Sequence, residues 1–188
     1  MAETARETEG LILPQAGTYV VDPAHSSVEF VARHMLSKVR GRFTESTATV
    51  KVGERPEDSS VAAVVKTASV QTNQEMRDNH LKGEDFFDVE KYPELSFTST
   101  GVKVIGDSEF ELTGDLTIKD ITKPVTFRGE FLGFGPNPQG VPTIFATAKT
   151  TVEREEWGLT WNMAVETGGL LVGKKVDLEL EIQANLQS

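Results

Sequence analysis

A chain of 188 residues with no cysteine and a formal net charge of −10 is long enough to bury roughly 70% of its unfolded surface in one self-sufficient domain. The lack of cysteine excludes a disulfide framework, thiolate zinc sites and thiol nucleophiles, and the acidic balance argues against nucleic acid as a partner. No run of about 18 apolar residues is present, so no transmembrane helix is expected.

The first ten residues, MAETARETEG, are polar and acidic, where a signal peptide would need a basic start and an apolar stretch. They predict a cytoplasmic protein with a flexible arm over 1–16, followed by a single domain over 17–188. From Gly17 onward the apolar pattern has period two, which places alternate side chains on one sheet face. Val28, Phe30 and Ala32 alternate with Glu29, Val31 and Arg33. Turn signals at Gly53-Glu-Arg-Pro56, Gly106-Asp107, Gly133 to Gly140 and Thr167-Gly-Gly169 divide the runs. The division predicts eight strands over roughly 18–34, 38–52, 59–70, 94–105, 109–119, 123–134, 142–154 and 173–186. The last is the clearest, with Val176, Leu178, Leu180, Ile182, Ala184 and Leu186 alternating with polar residues. Strands of this length suit an all-β, eight-stranded antiparallel barrel better than a sandwich.

Between Val70 and Pro93 the alternation stops. Thr72-Asn-Gln-Glu75 has the spacing of a capping box, which predicts a short helix over 73–82 that Gly83 can end. A turn-rich stretch with Phe86 and Phe87 follows. A helical excursion of this kind would serve as a plug or lid.

Such a barrel is either filled by side chains or holds one small ligand. The apolar phase carries small residues at Ala32, Gly41, Gly114, Gly129, Ala146 and Ala148, which leave volume, while Phe30, Phe43, Phe97, Phe127 and Phe131 would form an apolar lining. Glycines in strands also mark bulges, and an alanine can face a phenylalanine, so a filled lumen is the competing reading.

Several segments, in order, resemble the YceI-like family of polyisoprenoid-binding, lipocalin-like barrel proteins. They are Tyr19-Val-Val-Asp-Pro-Ala-His25-Ser26 with Val28 and Phe30; Arg77-Asp-Asn-His-Leu81 leading to Asp85-Phe-Phe-Asp88; Tyr92-Pro93 with Phe97 and Ser99; Gly114-Asp-Leu-Thr-Ile-Lys119 with Thr122-Lys-Pro-Val125; and Val172-Gly173. The resemblance runs from about Gly17 to Asn185. It implies a flattened barrel with helices near one end and a long tunnel for isoprenoid chains, quinone tails or fatty amides. Typical members in envelope-bearing bacteria carry a leader peptide. Two positions depart from the family pattern: Asp120 stands where a glycine usually makes the turn and is expected to take the left-handed conformation, and Trp157 is a larger aromatic expected at the rim.

The ligand-binding set read from phase and resemblance is Phe30, Ala32, His34, Phe43, Arg77, His80, Phe86, Phe97, Leu116, Phe127, Phe131, Ala146 and Trp157. Arg77 could meet an anionic head group, or could join Asp78 in tying the helix to the barrel. His34 could donate to a head group. His25, His34 and His80 are the only histidines, and the odd offset between His25 and His34 speaks against a shared metal site. Trp157 and Trp161 could stack at a mouth or close the base. No cofactor and no catalytic residue is expected, and there is no Gly-x-Ser-x-Gly elbow. The expected partner is a long apolar small molecule held as cargo. An isomerase, cyclase or hydrolase acting on a hydrophobic substrate in the same lumen is the alternative, and a surface interaction module a further one. Exposed edges leave room for a homodimer.

Overall fold

The computed structural model describes residues 5–8, 11–166 and 168–187. Residues 1–4, 9 and 10 of the expected arm, and Thr167 of the expected turn, lie outside the described residues. Within 1–16 the chain does form regular structure: β1 (Ala5–Thr8) pairs antiparallel with β2 (Leu11–Pro14).

The remaining elements follow the period-two pattern. In chain order they are β3 (Gly17–Val21), β4 (Ser27–His34), β5 (Ser37–Phe43), β6 (Ser46–Val52), β7 (Ser60–Lys66), β8 (Val70–Gln71), α1 (Glu75–Lys82), β9 (Glu94–Val104), β10 (Glu109–Ile118), β11 (Ile121–Pro136), β12 (Pro142–Glu153) and β13 (Val172–Leu186). Eight of them close a barrel in the order β12-β11-β10-β9-β7-β6-β3-β13, with β12 pairing back onto β13. The sheet also branches. Beyond β3, β13 pairs with β4, which continues through β5 to β8.

The branch explains why the first three expected strands are each interrupted. The run expected over 18–34 breaks at 22–26, where Asp22 Oδ1 accepts the Ala24 N–H at 2.9 Å and turns the chain. Ser26 then stands in for the missing ladder. Its hydroxyl donates to the Gln183 carbonyl and accepts the Gln183 N–H, so β13 loses no hydrogen bond while its neighbour changes from β3 to β4. The 38–52 run breaks at Thr44-Glu45, and the 59–70 run breaks at a 3₁₀ turn over Thr67–Ser69. These breaks let long walls bend into a closed section.

The 71–92 connection holds the expected helix with a different start. Gln74, not Thr72, is the N-cap, its side chain accepting the Arg77 N–H. Thr72 and Asp78 pair instead, the Thr72 N–H donating to Asp78 Oδ1 at 2.7 Å and the hydroxyl to the same oxygen. A tertiary tie has taken the threonine from the local capping box. At the β10–β11 turn the left-handed residue is Lys119 (φ 59°), not Asp120. Trp157 is not a rim residue: it is 1% exposed.

The α1 end of the barrel therefore carries the β4–β5 turn, α1 with its following loop, the β10–β11 turn and the 154–171 segment. The opposite end carries the β6–β7, β9–β10 and β11–β12 connections, the end of β13 and the β1–β2 hairpin.

Candidate ligand cavity

The inner faces of the barrel enclose a cavity of about 850 Å³, within the range of small-molecule sites. It runs the length of the barrel. Ile12, Gly53, Pro56 and Gly106 border one end, and His34, Arg77, His80 and Trp161 border the α1 end. Between them the wall is mainly Val, Leu, Ile, Phe and Ala from β2 to β7 and β9 to β13. All the side chains in the ligand-binding set line it, from Phe30, Ala32 and Phe43 through Phe97, Leu116, Phe127, Phe131 and Ala146 to Phe86 and Trp157.

The inward glycines work differently from the expectation that they leave empty space. Each lies under a phenylalanine ring. A Cβ on Gly41 would come within 2.2 Å of Phe30 Cζ, one on Gly129 within 2.2 Å of Phe110 Cζ, and one on Gly114 within 2.4 Å of Phe97 Cζ. Phe30 and Gly41 are direct cross-strand partners, as are Phe110 and Gly129. The glycines let large rings lie flat against the neighbouring strand, and rings held on the wall do not meet across the centre. Further ring contacts fix this lining: Phe30–Phe43 centroids are 5.8 Å apart, Phe43–Phe87 5.5 Å and Phe97–Phe127 5.4 Å, distances at which tilted and edge-on aromatic pairs attract.

The basic groups of the lining gather at the α1 end, whereas Asp107, Ser108 and Glu109 border the opposite one. Arg77 Nε donates to Thr72 Oγ1 at 2.7 Å, and Nη2 donates to the Thr72 carbonyl at 3.0 Å. Together with the Thr72–Asp78 bonds, this ties α1 to β8 while leaving Arg77 on the cavity wall. His80 Nε2 lies 2.9 Å from Asp85 Oδ2, and its ring packs edge-on against Trp161 and Phe86 at 4.5 and 5.1 Å. His34 borders the same mouth. His25 is elsewhere, bonded to Asp22 at 2.9 Å outside the barrel. Both tryptophans lie at the α1 end: Trp157 is buried in the core there, its indole N–H donating to the Leu116 carbonyl at 3.1 Å, and Trp161 packs edge-on against His80.

Among the lining residues missing from the ligand-binding set, one is charged and buried. Arg154 is 5% exposed and lines the cavity. Its Nε donates to the Gly173 carbonyl at 2.8 Å, Nη2 to Val172 at 3.3 Å and Nη1 to the Leu159 carbonyl. Burial pushes its pKa below the usual arginine value, yet an arginine so supplied with acceptors keeps its charge. It pins the start of β13 to the 154–159 turn. Alternation cannot reveal this, because Arg154 follows the last residue of β12; its only signal was its place in the Arg154-to-Gly158 segment. Phe110, on the apolar phase of β10, was recoverable by the same logic that selected Phe127.

A tube of this kind offers a ligand dispersion and desolvation along its length and polar contacts only near its ends. Such a lining suits a hydrophobic ligand.

A YceI-like domain model matches residues 19–184. A UPF0312 protein of Staphylococcus aureus (strain USA300) is 37% identical over 172 residues, covering 89% of this chain and 97% of the relative. Among solved structures, Burkholderia cenocepacia BcnA superposes with a TM-score of 0.77 at 24% identity, covering 87% of this chain and 98% of that one. A polyisoprenoid binding domain from Saccharophagus degradans, implicated in plant cell wall breakdown, superposes at 0.67 with 11% identity, covering 92% and 100%. With the family model spanning nearly the whole closed barrel and a relative well above 30% identity, the chain belongs to the YceI-like family.

Proposed function

We propose that this protein is a carrier that sequesters one long apolar molecule, an isoprenoid, a quinone tail or a fatty amide, along the barrel axis. The observation that carries the reading is the end-to-end apolar cavity of about 850 Å³. Family membership supports it, as does the printed description of a fold neighbour as polyisoprenoid-binding. Arg77 and His80, basic side chains at the α1 end, are the groups we assign to a ligand's head, and we place the carrier in the cytoplasm.

The energetics are sufficient without catalytic groups. About fifteen buried carbons at about 0.8 kcal/mol each contribute on the order of 12 kcal/mol. Association costs of about 4 kcal/mol or more leave on the order of 8 kcal/mol, a dissociation constant near micromolar or tighter for a longer chain. Titration of the intrinsic tryptophan fluorescence with a long-tailed quinone and with a prenyl phosphate tests this. A single saturable site is expected, weakened at least roughly ten-fold by Ala146→Phe or Ala32→Phe, which put a ring where the chain would lie. Unchanged affinity in both variants would sink it. Product analysis of the same mixtures separates carriage from conversion.

A further inference from the structure

Met35 and Leu36 turn the chain from β4 into β5 at the α1 end, and Leu36 is 94% exposed. This turn lies against the 163–171 segment. The Met35 N–H donates to the Leu171 carbonyl and the Leu171 N–H to the Met163 carbonyl, both at 2.8 Å. Exposed Met163 and Leu170 are thereby brought onto the same rim, and exposed Met76 of α1 borders the same mouth. Single exposed apolar residues need no explanation; several gathered at one cavity mouth do.

The charges beside them are unusual for a chain of net −10. Arg33 and Lys38 are direct cross-strand partners, both exposed, so two cations stand side by side on the outer face where like charges repel. The start of β13 abuts them, since a Cβ on Gly173 would lie 3.1 Å from Arg33 Cβ, and Lys174 and Lys175 follow, both exposed. Lys174 pairs with Glu155 at 3.0 Å. Arg33, Lys38 and Lys175 have no ion-pair partner among the described residues. The carboxylates nearby are Glu153, the direct cross-strand neighbour of Lys175, Glu155, already paired with Lys174, and Glu166 on the 163–171 segment. Deeper along the same face, Arg40 is neutralised by Glu29 and Glu179.

Exposed methionine and leucine flanked by unpaired basic side chains match an anionic lipid surface in both chemistry and charge. We propose that the protein docks on anionic bilayers through this rim, with Leu36, Met35, Met163 and Leu170 entering the acyl boundary and Arg33, Lys38 and Lys175 meeting lipid phosphates. The exposed carboxylates of α1 and its following loop, Glu75, Glu84, Asp85 and Glu90, share this end of the barrel, and their repulsion by such a surface tilts the molecule onto the side of Arg33, Lys38 and Lys175. One side of the cavity mouth then meets lipid. The inference goes beyond the carrier reading and does not depend on what the lumen holds.

Flotation of the full chain with vesicles of equimolar phosphatidylcholine and phosphatidylglycerol tests the proposal, with pure phosphatidylcholine vesicles as the second arm. Binding is expected to the anionic vesicles, to fall as salt is raised, and to be far weaker on neutral ones. Leu36→Asp should weaken it more than roughly ten-fold, and Lys38→Gln roughly five-fold. Both positions are exposed, so an unchanged thermal melt shows that the fold is kept. Ala146→Phe, which fills the lumen, should leave vesicle binding intact. Failure of the wild-type chain to float with anionic vesicles, equal binding to neutral ones, or indifference to both rim substitutions would overturn the proposal; the first outcome would leave the rim to a protein partner.

Discussion

The ring of Phe30 lies across the backbone of Gly41 on the adjacent strand, so close that a Cβ at Gly41 would sit 2.2 Å from Cζ. This contact sets the width of the lumen near β4 and β5, because the glycine takes the ring onto the wall. Gly41→Ala must push Phe30 inward. A loss of about 1–3 kcal/mol in stability is expected, as for overpacking elsewhere, together with weaker binding of any long apolar ligand. Adding Phe30→Leu should recover much of both, since the two residues are coupled. Denaturant unfolding and the fluorescence titration measure the two effects. Simple additivity of the double variant would show that the contact does not shape the cavity.

The packing of the α1 end depends on Arg154 and Trp157. Arg154→Met keeps the volume but strands the carbonyls of Leu159, Val172 and Gly173. A loss of about 3 kcal/mol or more is expected from their lost charge-assisted bonds. Trp157→Phe should cost about 1–3 kcal/mol, partly through the orphaned Leu116 carbonyl. Urea unfolding midpoints at constant m-value check both.

Acid should loosen the β3–β4 turn. The His25 bond, then the Ala24 N–H, hold the Asp22 carboxyl below its ordinary 3.8. A depressed carboxylate pKa contributes stability that is fully present above the unfolded value and is lost as pH falls through the folded value. Asp22→Asn keeps an acceptor for Ala24 but removes this charge. Its melting temperature should fall less than that of the wild type between neutral pH and about pH 3. The effect is small because the turn is exposed, and parallel acid limbs in the two proteins would contradict it.

Much of this architecture was legible before the coordinates, for physical reasons that also mark where legibility ends. Strands such as β13 bury one face, so the apolar phase from Val176 to Leu186 specifies both strand and inward side. The lining set followed from that phase. Alternation cannot say how far a side chain reaches, and so it identified Gly41, Gly114 and Gly129 as inward without showing that they carry rings. The break at 22–26 carried a turn signal in Asp22-Pro23, but the role of Ser26 depends on Gln183, far away in the chain. Thr72 had the local signature of a cap and was claimed by Asp78 and Arg77 instead. At the β10–β11 turn local chemistry favours Asp120 for the left-handed position, yet in the two-residue turn between the paired Ile118 and Ile121 it is Lys119 that takes it.

The central claim is that the wall side chains do not meet across the axis and that a foreign chain fills the gap. Native mass spectrometry of protein purified without detergent, followed by organic extraction, tests it most directly. One apolar molecule per chain is expected, released by denaturation and recovered in the organic phase. Protein that is empty on isolation and also refuses quinones and prenyl phosphates would contradict the claim.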